Sequence, residues 1–149
     1  PYLAWNDFVR DGLAVWNVFK RIVQPDLVIR IGLRMINRIS MPAGTFLIED
    51  YLATAPQAPK GFDIPYQGFM QHESLAMPDA PYRVTVVKTI LPPAKGEPGP
   101  AIVIDIDTFV MPNEMVDDGV LVDRLTDMRW IKNKVFFGTV TAKTLEAFK

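Results

Sequence analysis

Three arginines, Arg30, Arg34 and Arg38, stand four residues apart in a stretch where apolar side chains recur at every second position. In an extended strand that spacing puts all three on one face at ~13 Å intervals. Guanidinium forks in such a row suit phosphates or an acidic partner. They suit equally well carboxylates on a neighbouring strand. Asp105 and Asp107, on the polar parity opposite Ile102, Ile104 and Ile106, are the obvious partners. The balance favours a salt-bridged sheet surface over a ligand rail. The same Asp-x-Asp pair points two carboxylates one way, as Mg²⁺ or Mn²⁺ binding requires, but further oxygen ligands are missing from the local sequence. No metal site and no cofactor is therefore assigned. His72, beside Glu73, is the single histidine and has the chemistry of a general acid or base. With no cysteine, no G-x-S-x-G elbow and no H-E-x-x-H helix, it reads instead as a hydrogen-bonded surface residue, and no catalytic residue is assigned. Asn37 interrupts the apolar parity, where an amide must find a partner or cost a few kcal/mol. A packing bond within the sheet is the simpler reading. The sharper one has Asn37 and Arg38 lining a cleft against an acidic helix carrying Glu49 and Asp50.

The elements that must position these groups follow from periodicity. Trp5, Phe8, Val9, Gly12, Leu13, Trp16, Phe19 and Val23 recur at three- and four-residue steps and predict a helix over 5–23, ended by Pro25. Strict alternation predicts a strand over 26–41, with Leu27, Ile29, Ile31 and Leu33 inward and the arginines outward. Thr45 is placed to cap a short helix through Leu52, and 57–63 is a loop. Strands are expected over 64–76, 82–91 and 101–110, the last two joined by an exposed, Pro- and Gly-rich hairpin tip over 92–100. Leu121, Leu125, Met128, Ile131 and Val135 mark a helix over 118–137, closed by Gly138, with Thr141 capping a final short one. The result is an α+β two-layer sandwich: a mostly antiparallel four-stranded sheet with the N-terminal and C-terminal helices packed on one face. Trp5, Trp16, Leu125 and Met128 should be buried there. The opposite face, Arg30-Gly32-Arg34-Ile36-Arg38, is left without cover.

The 149 residues suit one domain, and 49% apolar with 22% charged residues is ordinary globular composition. Sixteen basic against seventeen acidic side chains leave a net charge of -1, which disfavours RNA binding through the arginine strand. The absence of cysteine excludes disulfides, thiolate nucleophiles and Cys-type zinc or iron–sulfur sites. No P-loop, dinucleotide fingerprint or RRM-type aromatic strand is present. No apolar run reaches the ~18–20 residues of a membrane helix, and no basic n-region precedes an apolar one, so a cytoplasmic location is expected. Because the sequence opens and closes in helical patterning, it is expected to be the ordered part of a longer polypeptide.

The segment Arg30-Ile31-Gly32-Leu33-Arg34-Met35-Ile36-Asn37-Arg38-Ile39 resembles the R-x-G-L-R-aromatic-x-N-R-I strand of a sporadically distributed, uncharacterised family of bacterial and archaeal proteins. Glu49-Asp50-Tyr51-Leu52 is similar to its L-E-D-Y-L segment and Asp105-Ile106-Asp107 to its D-x-D strand. Leu125, Asn133, Phe136, Phe137 and Thr141 are similar to its C-terminal signature. Met35 departs from the usual aromatic. The resemblance spans most of the chain and implies a longer protein of which this is the C-terminal part; the family brings no established activity. The expectation is a non-catalytic interaction domain that engages a protein partner or its own N-terminal region, with a homo-oligomer also open. The candidate binding residues are Arg30, Arg34, Asn37, Arg38, Glu49, Asp50, Asp105 and Asp107. The alternative is an enzyme or nucleotide-handling domain using the same arginine and aspartate faces.

Overall fold

The computed structural model describes residues 4–61, 68–146 and 148. Helix α1 (Trp5–Val23) is followed by strand β1 (Ile31–Ser40) and a single 3-10 turn (Ile48–Asp50). Strands β2 (Met70–Ala76), β3 (Arg83–Leu91) and β4 (Ala101–Val110) come next, then helices α2 (Asp118–Thr139) and α3 (Ala142–Glu146). The sheet is antiparallel throughout, in the order β1-β4-β3-β2. It is an α+β fold. The central strand β4 buries Ile102, Ile104 and Ile106 completely on the helix side. Ile31, Leu33 and Ile39 of β1 and Val84 and Val86 of β3 flank them, and Met128 and Ile131 of α2 close the layer. Asp117 caps α2, its carboxylate accepting the Val120 amide at 2.8 Å.

β1 is shorter than its alternation suggests, because β4 ends where Ile31 meets Val110. Upstream, among the described residues, only Val28 finds a backbone strand partner, in an isolated bridge to Glu114. That bridge inverts the parity: Val28 packs on the core while Leu27 and Ile29 face solvent, against expectation. The expected helix after Thr45 is corrected to the 3-10 turn, which starts after Leu47 with no side-chain cap. The part of the expected strand over 64–76 that falls on 64–67 lies outside the described residues.

The two long helices are not equivalent. α2 lies across β4 and β1, whereas α1 sits beside α2 near the start of β1. Its ends are tied by Lys20 to Asp118 at 2.5 Å and by the Arg129 guanidinium 4.9 Å from the Trp5 ring. No residue of α1 is buried, so Trp5 and Trp16 are only half-covered, as is Leu125.

Candidate functional site

With α2 on the other side, one face of the sheet is left uncovered by the described residues. β1 contributes Arg34, Ile36 and Arg38 to it, β4 Val103, Asp105 and Asp107, β3 Thr85, Val87 and Thr89, and β2 Met70 and His72. The arginines are held by carboxylates. Arg34 grips Asp105 with both arms, Nε to Oδ1 at 2.9 Å and Nη2 to Oδ2 at 2.5 Å. It reaches diagonally, since the register places Arg34 opposite Asp107 and Ile36 opposite Asp105. The hydrogen bond to Asp105, then that carboxylate's charge, raises the Arg34 pKa above its ordinary value. Arg30, just before β1, donates to Asp107 at 2.6 Å and lays its guanidinium 4.4 Å from the Phe109 ring centroid. Gly32 makes room for this path: a Cβ there would stand 2.9 Å from the Arg30 guanidinium carbon. Arg38 pairs with Glu97.

Glu97 belongs to the connection expected to be an exposed tip. Residues 92–96 are exposed, but Glu97 is half-buried and also accepts the Ala94 amide at 3.1 Å. Gly99 is buried, and the Met41 amide donates to Pro100 at 2.9 Å. The residue type at 97 was readable in the sequence; its partner across 59 positions was not.

The other candidates lie elsewhere. Asn37 faces the helix side and donates to the Ile104 carbonyl at 3.3 Å, the simpler of its two readings. Arg38 is on the opposite face, so the two line no common cleft. Glu49 is exposed, and Asp50 accepts from Lys143 at 2.7 Å, which ties the acidic turn to α3. Thr141 adds to that junction by donating to the Asp50 carbonyl at 2.5 Å. His72 is exposed on the open face and Glu73 points to the helix side, so they form no pair.

A polar cluster that no sequence motif marks lies on the helix side. Lys88 is fully buried; its ammonium donates to Thr54 Oγ1 at 2.8 Å and to Glu73 Oε1 at 3.2 Å, and Gln71 Nε2 donates to Glu73 at 2.9 Å. The signal was available: Lys88 shares its parity with Val84, Val86 and Ile90, as Asn37 shares that of Ile39. A 260 Å³ apolar cavity lies between α1, α2 and the start of β1, lined by Phe8, Leu13, Trp16, Val28, Leu121 and Leu125. Among the described residues, no group of three or more His, Cys, Asp or Glu side chains could hold a metal ion. No described helix is long and apolar enough to cross a membrane. No family model, curated protein or solved structure matches the chain.

Proposed function

We propose that this is a non-catalytic interaction domain, resident in the cytoplasm of a bacterial cell, whose open sheet face takes a protein partner. The observation that carries the reading is the exposure of Ile36 (62%) and Met70 (76%) on a face whose arginines are already oriented by Asp105, Asp107 and Glu97. Arginines fixed before contact lose less side-chain freedom on binding, and Arg and Met are enriched at protein interfaces. A partner offering an apolar side chain to Ile36 and hydrogen-bond acceptors to the guanidinium edges complements this surface. The same positions give the enzyme alternative little support. His72, Val87, Asp105 and Ile36 form one row across the four strands. At ~4.8 Å per strand, His72 is about 10 Å from Asp105, too far to exchange a proton directly.

The test replaces Arg34 and Arg38 together by Ala and compares thermal unfolding with capture of the partner from an extract of cells that make the protein. The expected result is capture reduced about tenfold, more strongly at low salt than at high salt, with a melting temperature only modestly below wild type because Asp105 and Glu97 lose their partners at 17% and 29% exposure. Lower stability with unchanged capture would make the arginines a structural ladder and remove the interface.

A further inference from the structure

Helix α1 carries two apolar rows. Trp5, Val9, Leu13 and Trp16 form the inner row, half-buried against α2 and β1. The outer row runs from Phe8, which also lines the edge of the inner cavity, through Asp11, Val15, Val18 and Ile22, at steps of three, four, three and four. Those steps average 3.5 residues, the period of a helix-pairing seam. All five are exposed, Val15 to 71% and Ile22 to 72%, and Phe19 and Val23 widen the strip. The two rows are the edges of one wide apolar arc, and the part that this chain leaves uncovered is available to a second surface.

We propose that the outer row of α1 pairs antiparallel with the same row of a second copy of this chain. Charge selects that occupant. Asp7 and Asp11 lie in the first half of α1 and Arg21 at its end, Lys20 being already held by Asp118. Two copies laid antiparallel about a two-fold axis set acid against base at both ends, whereas a parallel pair sets like against like. Asp7 and Asp11 meet only Arg10 of their own helix, and Arg21 has no ion-pair partner among the described residues. Asp11 also decides between a protein and a lipid surface. It sits within the seam, where acyl chains offer its carboxylate nothing and Arg21 of the second copy offers a guanidinium. The seam from Phe8 to Ile22 is ~21 Å long, which places the contact at the small end of specific interfaces.

Sedimentation equilibrium at low salt, from about 1 to about 500 µM, reads the pairing. The wild type should pass from monomer to dimer across that range. Val18→Glu should stay monomeric with an unchanged melting temperature, since Val18 is outside the inner row. Arg21→Glu should weaken the dimer at least tenfold, and Asp11→Lys combined with Arg21→Glu should restore it, because the exchanged charges again face each other. The proposal is overturned by a wild type monomeric at every concentration, by Arg21→Glu dimerising as wild type, or by a charge-exchanged variant that stays monomeric. Monomeric wild type that binds anionic phosphatidylglycerol vesicles through α1 would overturn it in favour of a lipid surface.

Discussion

The Lys88–Glu73 pair should respond asymmetrically to removal of one partner or the other. Lys88 is fully buried, while the Glu73 side chain keeps 35% of its exposure. Replacing Lys88 by Met keeps the volume and strips Glu73 of one partner, but the carboxylate still reaches water and Gln71. The cost should be about 1 kcal/mol or less, because a solvated charge loses little when its partner goes. Replacing Glu73 by Leu leaves a buried ammonium with Thr54 as its remaining partner, through Oγ1 at 2.8 Å and the carbonyl at 3.5 Å. That is the expensive direction, about 3 kcal/mol, the low end of what stranding a buried charge costs. The difference of about 2 kcal/mol is a roughly thirty-fold ratio of folding constants. Urea denaturation of both variants reads it, with the melting temperature of Glu73→Leu falling by about 6–12 °C. Equal losses, or a larger loss for Lys88→Met, would refute the argument that the unequal exposure of the two groups governs the pair.

Two further outcomes follow from particular contacts. Gly99→Ala places a methyl 2.6 Å from the Met41 carbonyl oxygen and closer still to that of Pro42, both backbone groups that cannot swing aside; stability should fall by about 1–3 kcal/mol, and the Met41 amide should exchange faster. Burial, with the 2.6 Å hydrogen bond to Asp127 adding to it, raises the Tyr82 pKa. The unfolded chain therefore releases this proton first, at pH about 10, so stability from Tyr82 is complete below that pH and declines above it. Tyr82→Phe should cost about 1 kcal/mol at neutral pH and flatten the alkaline decline, as followed by urea midpoints between pH 8 and about 11.

The sheet and its two faces were legible because alternation is a local property. Ile102, Ile104 and Ile106 against Asp105 and Asp107 state which way each residue of β4 points, and the arginine–aspartate pairing of β1 with β4 follows from it. What was lost depends on where a neighbour ends. Leu27 and Ile29 continue the apolar parity in sequence, but β4 stops at Val110 and the Val28–Glu114 bridge turns them outward. The apolar arc of α1 announces burial without saying how much of it meets this chain, and Trp16 lies less deep than the stripe suggests. Glu97 and Thr54 act through partners far along the chain, and no spacing rule connects them to Arg38 and Lys88. Lys88 was missed for a different reason. Its parity marks it as inward, while its charge argues for the surface.

The open face is tested most directly by a photo-crosslinking amino acid placed in the full-length protein, in the cells that make it, at Ile36, at Met70 and at Asp123 on the exposed side of α2. Adducts at 36 and 70 to the same protein, with none at 123, are the expected result. The adduct at 36 should disappear when Arg34 and Arg38 are replaced by Ala. Illumination that yields no protein adduct at 36 or 70, or the same adducts at all three positions, would contradict the assignment of this face as the interaction surface.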